Sequence, residues 1–508
     1  MSNFLKNPLL LTDGYKLSHK FFYPKGIEGV YATWIPRDNR YFKAADKSIF
    51  FGLQYFIKEY LIKRFNEGFF NRDVEELVAE WKEFILSYLG STKNAIGEEE
   101  IRSLHKLGYL PIRIKALPEG TASPIGVPQL TIVNTHPEFA YLTNYLESVM
   151  SSVLFLPSIS ATSAFLYKKE LYRHANKTGF ADQMLGFSMH DFSMRGMAGT
   201  ESALISGMAH LAVFNGSETL SAIVGVRDYY NADYTKELVA ATVPATEHSV
   251  MEAAMADHFN SDTEKEYFKY VLTEVYPDSP FVSIVSDTRD YEDVVTNVIP
   301  SLKDIILGRP GRLVVRPDSG EPVDIIAGIL PTDPLYKGAS EFYRMGTYEY
   351  LWNIFGGEIN EEGFKVLNPH IGIIYGDSIT LARQKEIYRR LEEKGFAATN
   401  LVLGVGSYTY QYVSRDTLGY ALKTTAVKID GVWKAVFKDP KTYGQGMNKK
   451  SLKGFVRVDR VKGELVTTQE VTSEEEGGLL TTIFEDGKLI REYTLEEIRQ
   501  RINNEILK

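Results

Sequence analysis

An α/β fold is what this sequence predicts: parallel strands in a βα barrel or an open doubly wound sheet, with a second, partly antiparallel domain beside it. Three observations carry that expectation. The middle of the chain repeats one pattern, in which a short β-branched apolar run ends abruptly in polar residues or glycine and passes into an amphipathic helical stretch. Those runs are apolar almost throughout, as strands buried on both faces must be. The flanks lack this alternation and mix helical stretches with strand-like segments.

Taken in order, "MLGFSMH" (184–190) precedes a glycine-containing turn; "FVSIVSD" (281–287) precedes "YEDVVTNVIPSLKDIIL"; and "RLVVRPDSG" (312–320) precedes "PVDIIAGIL". "IGIIYGDS" (371–378) leads into "TLARQKEIYRRLEEKG", and "NLVLGVGS" (400–407) continues the series. Of the flanks, "IFFGLQYFIKEYLIKRF" is predicted helical, "PIRIKALPEG" and "PQLTIVNT" as strands, and "YALKTTAVKIDGVWKAVFKDP" as a hairpin turning at Asp430 and Gly431. "TSEEEGG" is expected to be a solvated turn. The resulting division is a mixed α+β domain from residues 1–180 and 413–508, and a catalytic α/β domain from 181–412.

Composition narrows the function. A chain of 508 residues with 44% hydrophobic and 24% charged residues is an ordinary globular protein with room for two or three domains. Its formal net charge of −9 supplies no basic field for a nucleic-acid backbone. The absence of cysteine excludes disulfides, thiolate metal sites and cysteine nucleophiles. The apolar start is too short for a signal-peptide core, and the apolar region 141–167 is interrupted by Asn144, Glu147 and Pro157, so no membrane span is expected there and the default compartment is cytoplasmic.

In either parallel architecture the strands' carboxyl ends form the ligand site. Asp287, Arg316, Asp318, Gly376, Asp377, Gly404 and Gly406 all stand at such ends. "HDFSMRG" adds His190, Asp191, Phe192 and Arg195, with glycines that let backbone amides approach a ligand. "RPDSG" places Arg316 and Asp318 two apart, suited to a phosphate and a ribose hydroxyl, or simply to each other. Arg415, Lys423 and Lys438 follow the glycine turn at Gly404 and Gly406 and suit a pyrophosphate. In "VPATEHSVM", Ser249 and Glu252 form a capping-box pattern, so His248 is expected just before the cap of a helix whose amino end favours negative charge. A metal-dependent barrel hydrolase is the rival reading, although tight pairs such as H-x-H or H-E-x-x-H are missing. A noncatalytic binding protein is a third.

"TDGYKLSH", "FFGLQYFI", "HDFSMRG", "VPATEHSV", "VSDTRD", "VVRPDSG" and "YGDSI" occur in the order found in the nicotinamide phosphoribosyltransferase family, and the resemblance runs over nearly the whole chain. It implies an irregular βα barrel of the type II phosphoribosyltransferase kind, and a homodimer with shared active sites. The implied reaction moves phosphoribose from phosphoribosyl pyrophosphate to nicotinamide with Mg²⁺, assisted by ATP through a phosphohistidine. By motif, His248 resembles the phosphorylated histidine, with Asp287 close to it. Tyr15 of a second subunit and Phe192 resemble the aromatic sandwich, and Arg195 a nearby polar contact. Arg316 and Asp318 match ribose and ring contacts; Gly376, Asp377 and Gly406 match the ribose-phosphate turns. Arg37, Arg415, Lys423 and Lys438 match the cations for pyrophosphate or ATP phosphates.

Three departures stand out. In "FNGSETL", Glu218 stands where the family carries Asp to accept the substrate amide, one methylene longer; a carboxylate there favours nicotinamide and repels nicotinate. Ser407 and Tyr408 replace glycines, and Ala421 replaces a serine, changes that bear on ATP coupling more than on transfer itself. Nicotinate phosphoribosyltransferase activity is the alternative within the same fold.

Overall fold

The structure is a computed structural model that describes residues 4–179, 184–376, 378–440 and 450–507. The chain divides into two units. One comprises Met1–Thr162, Gly225–Ala232 and Val413–Lys508; the other comprises Ser163–Val224 and Asp233–Tyr412.

Six parallel strands form the frame of the second unit, in the order Gly216–Ser217, Met189–Asp191, Leu401–Val405, Ile371–Tyr375, Arg312–Arg316 and Phe281–Val285. The five apolar runs read from sequence fall on five of these strands; Gly216–Ser217 was not among them. The strands' residues are largely buried; Leu313, Val315, Ile371, Ile373 and Leu403 are fully inaccessible. The sheet's two edges are bridged by one irregular segment. Ala241 pairs with Gly216 at one edge and Ala245 with Ser283 at the other, both parallel. Pro244 O accepts from Ser283 N at 2.9 Å and Thr246 N donates to Ser283 O at 3.0 Å, so "ATVPAT" supplies the stave that makes the barrel irregular. Proline and the break in apolar patterning hid this stave from a reading by periodicity.

Helices follow the strands as expected, with local chemistry setting their starts. Asp290 caps the helix that begins at Tyr291, its side chain accepting from Asp293 N, and Pro322 opens Pro322–Ala327 where its missing N–H costs nothing. Thr380 caps Leu381–Glu393 by accepting from Arg383 N. The helix after the closing stave differs from the expected one: it spans His248–Ala254 with Glu247 as N-cap. Ser249 does not cap it; the Ser249 hydroxyl donates to the Glu247 carboxylate. His248 is therefore the first helical residue rather than the residue before the cap.

In the other unit a seven-stranded sheet draws strands from both chain ends, in the order Val432–Ala435, Ala421–Ile429, Ile27–Ile35, Leu130–Asn134, Ile112–Ala116, Thr481–Glu485 and Lys488–Leu489. Its contacts are antiparallel. The hairpin turns at Asp430 (φ 49°) and Gly431 (φ 77°), the paired positive values of the tight turn that matches strand twist. "TSEEEGG" is only partly the solvated turn expected of it. Glu476 is buried against Lys115 and also accepts from Tyr31 Oη at 3.1 Å and Thr131 Oγ1 at 3.3 Å. Gly52 (φ 105°) must be glycine, because a Cβ would come within 2.4 Å of Pro157 Cγ. Pro157 lies inside the helix Glu147–Thr178, which is long and apolar enough to cross a membrane; 89% of its apolar window is buried within the protein.

Candidate active site

At the carboxyl ends of the barrel strands lies a cavity of about 1090 Å³, bordered by Phe192, Arg195, Glu218, His248, Arg316, Asp318, Gly376 and Gly406 among others. A second cavity of about 310 Å³ fills the barrel interior. Phe192, Glu218 and Arg316 border both, so the interior opens onto the rim.

Beside His248 stands a carboxylate that accepts four hydrogen bonds. Asp287 leaves the strand Phe281–Val285 two residues past its end, and its side chain is 2% exposed. Its Oδ2 accepts from Asp318 N at 2.9 Å, Ser319 N at 2.8 Å and Ser319 Oγ at 2.6 Å. Its Oδ1 faces His248 Nε2 at 3.1 Å. A carboxylate that only accepts places the imidazole proton on Nε2 and leaves the Nδ1 lone pair outward. The His248 side chain is 43% exposed, so a ligand reaches it.

Arg316 and Asp318 form a bidentate ion pair, Nε to Oδ1 at 3.2 Å and Nη2 to Oδ2 at 3.0 Å, which is the mutual pairing their spacing allowed. The Arg316 guanidinium also sits 5.3 Å from the centre of the Phe192 ring. Close approach demands two glycines here. A Cβ on Gly376 would lie 2.7 Å from Asp318 Oδ1, and one on Gly404 would lie 2.9 Å from Phe192 Cδ2. At Gly406 a Cβ would meet nothing within 4 Å, so protein packing does not require that glycine. Asp191 is a structural member of "HDFSMRG": fully buried, it accepts from Ser193 N at 2.9 Å and Thr219 Oγ1 at 2.8 Å and so holds the turn that aims Phe192. Arg195 is exposed at the cavity wall.

Glu218 accepts at Oε1 from His190 Nε2 at 3.0 Å and from the Thr242 hydroxyl. Burial works against its charge, but these bonds and the positive Arg316 outweigh it and hold the carboxyl below its ordinary range.

A second group of predicted residues gathers in the other unit. Tyr15, 63% exposed, lines a small cavity with Asp13, Glu147 and Arg415. Arg37 donates from Nε to Gly419 O at 2.9 Å. Lys423 lies 3.6 Å from Glu147 Oε1, whose other oxygen is bound at 2.9 Å by Lys16. Burial lowers the pKa of Lys423, and the charges of Arg37 and Arg415 lower it further. Arg37 is lowered in the same way, by burial and then Arg415. Three cations that repel one another form a site that a polyanion would stabilise.

Lys438 is exposed, its backbone paired with Ser451, and among the described residues no interaction ties it to the other three. Asp377 lies outside the described residues. Ser319, Thr246 and Thr242 were not singled out by sequence. Ser319 was visible inside "RPDSG"; the other two became functional candidates only once the stave closed the barrel.

The rim of parallel strands thus carries an aromatic ring, a carboxylate and an Asp-held histidine, and the other unit carries a cluster of cations. Residues 187–478 match the nicotinate phosphoribosyltransferase (NAPRTase) family, and residues 7–114 match the nicotinamide phosphoribosyltransferase N-terminal domain. The chain is 44% identical to a nicotinamide phosphoribosyltransferase of Acinetobacter baylyi, covering 99% of this chain and 98% of that protein. It is 33% identical to one of Mycoplasma pneumoniae, covering 85% and 92%. The chain belongs to the nicotinamide phosphoribosyltransferase family. In fold it is similar to the crystal structure of nicotinate-nucleotide pyrophosphorylase from Pyrococcus furiosus (TM-score 0.55, 15% identity, 98% and 95% covered). It is also similar to that of human nicotinic acid phosphoribosyltransferase (TM-score 0.52, 15% identity, 97% and 93% covered).

Proposed function

We propose that this chain transfers phosphoribose from phosphoribosyl pyrophosphate to the pyridine nitrogen of nicotinamide, giving nicotinamide mononucleotide and pyrophosphate. The observation that carries this reading is the carboxylate of Glu218 on the same cavity as the Phe192 ring. A flat pyridine stacks on Phe192, and an acceptor-only group beside it takes an amide N–H while repelling a carboxylate. Departure of pyrophosphate leaves oxocarbenium character on the ribose, so the work lies in positioning and in cations on the leaving group. The ring nitrogen must be presented at about 3–3.5 Å from the anomeric carbon. Arg316 and Asp318, with Gly376, Asp377 and Gly406, are assigned to the ribose and its phosphate, and Arg195 to the base. Arg37, Arg415, Lys423 and Lys438 are assigned to the pyrophosphate or ATP phosphates.

In this reading His248 takes the γ-phosphoryl group of ATP on Nδ1, releasing ADP, and Asp287 holds the Nε2–H so that the lone pair stays aimed outward. Water later cleaves the phosphohistidine to phosphate. Among the described residues no group of three or more His, Asp or Glu forms a metal cage, and Asp287 and Asp318 are both committed to protein donors. Mg²⁺ therefore fits as an ion carried on the substrate phosphates, where it neutralises charge.

The working unit is taken to be a cytoplasmic homodimer in which Tyr15 and the cations of one subunit complete the rim of the other. The functional division keeps 181–412 as the catalytic domain, and 1–180 with 413–508 as the mixed domain. The match of residues 187–478 to the nicotinate family favours nicotinate as the second reading. One assay separates them: nicotinamide or nicotinate with phosphoribosyl pyrophosphate, with and without ATP. The expected result is ATP-stimulated turnover of nicotinamide; comparable turnover of nicotinate would overturn the assignment of base.

A further inference from the structure

The extra methylene of Glu218 raises a problem of reach, and the side chains around it answer the problem. Both donors that meet this carboxylate meet the same oxygen. His190 Nε2 lies 3.0 Å from Oε1, and the Thr242 hydroxyl donates to Oε1 as well. Among the described residues Oε2 has no protein partner, and Glu218 faces both cavities. The two donors come from opposite sides: His190 from the strand Met189–Asp191, and Thr242 from the stave that closes the barrel. His190 is itself fixed. Its ring packs 4.7 Å from that of Phe192 and lies close against the backbone of Gly216, where a Cβ would stand 2.6 Å from its Nδ1 and displace it from Glu218.

A glutamate on a rim has one more rotatable bond than an aspartate and spreads its carboxylate over more positions. Engaging one oxygen from two sides removes that freedom and leaves a single, directed acceptor. We propose that Thr242, acting with His190, is a specificity-positioning residue: it holds Glu218 back so that Oε2 alone is presented to the carboxamide N–H of the pyridine base. This rests on the reading of Glu218 as the amide acceptor. Thr242 touches no substrate atom in this account; it acts through Glu218.

The test uses the full-length enzyme. Thr242→Val keeps the shape of the side chain at an exposed position and deletes only the donor. It should raise KM for nicotinamide about tenfold, the value of roughly one hydrogen bond to a charged group, while kcat and KM for phosphoribosyl pyrophosphate move less than about twofold. Thr242→Ser, which restores the hydroxyl, should restore KM. In a Glu218→Asp background the shorter carboxylate no longer reaches Thr242, so adding Thr242→Val should change little, whereas independent effects would multiply. An unchanged nicotinamide KM in Thr242→Val, or equal changes in all three constants, overturns the proposal. A wild-type enzyme that fails to turn over nicotinamide overturns the functional reading instead.

Discussion

The barrel rim and the cation cluster of the other unit treat charge in opposite ways. On the rim the acids are held in place by protein donors before any ligand arrives: Asp287 accepts four hydrogen bonds, Asp318 holds Arg316 in a fork, and Glu218 has two donors on one oxygen. In the cluster, the charge of Arg415 adds to burial in lowering the pKa of both Arg37 and Lys423, and Glu147, 3.6 Å from Lys423, is shared with Lys16. The first arrangement fixes geometry; the second stores repulsion that a bound anion relieves. The proposed reaction joins two substrates, a flat uncharged base and a polyanionic phosphoribosyl pyrophosphate, and the two kinds of charge arrangement suit the one and the other.

His248→Ala tests the rim most severely. It should abolish the phosphoenzyme and lower the ATP-stimulated rate on the order of a hundredfold or more, leaving slow ATP-independent transfer at saturating phosphoribosyl pyrophosphate. Labelling with γ-phosphate-labelled ATP reads the first effect and initial rates the second; absence of label on the wild-type protein would break the assignment. Arg415→Ala and Lys423→Ala test the cluster. Each removes a charge-assisted bond, so KM for phosphoribosyl pyrophosphate should rise roughly 10- to 100-fold with the nicotinamide KM nearly unchanged, as steady-state kinetics will show. An equal rise in both constants would erase the contrast between the regions.

Subunit mixing sharpens the comparison further. Tyr15→Ala and Phe192→Ala enzymes, each inactive, should recover about a quarter of wild-type activity when exchanged in equal amounts, because half the dimers are mixed and each of those has one intact site. No recovery on exchange would count against a shared site.

The smallest effect concerns an exception within the barrel unit. Glu264 is buried with Oε1 unpaired, and burial, reinforced by Asp293, raises its pKa to about 7. The unfolded chain releases this proton near the ordinary glutamate value, so its contribution is fully present below that value and is lost as pH rises toward 7. Denaturant titrations should show wild-type stability falling between about pH 4.5 and 7 by on the order of 2 kcal/mol more than in Glu264→Gln. Identical slopes would mean that Glu264 ionises freely.

Much of the barrel was legible because its signals are local. A strand such as Ile371–Tyr375 announces itself by being apolar at every position, and Asp430 with Gly431 announces a turn because few residues tolerate two positive φ values in succession. The misreadings share a cause. Ser249 and Glu252 fit a capping pattern, yet Glu247 two residues earlier holds the Ser249 hydroxyl, and the pattern cannot tell which partner is nearer. Glu476 sits among acids and glycines like any solvated turn, but Lys115, Tyr31 and Thr131 come from strands more than 300 residues away.

By itself the sequence determined the parallel strands, the polar residues at their ends, the family and the types of group the chemistry requires. These follow from hydrophobic period, turn stereochemistry and motif order, all properties of contiguous residues. Only the tertiary structure decided that "ATVPAT" closes the barrel, that Asp287 is locked by Asp318 and Ser319, that Thr242 meets Glu218, and that Arg37 gathers with Arg415 and Lys423. Each is a meeting of segments far apart in the chain, and hydrogen bonds and repulsion between charges act through space at a few ångströms, whatever the separation along the backbone.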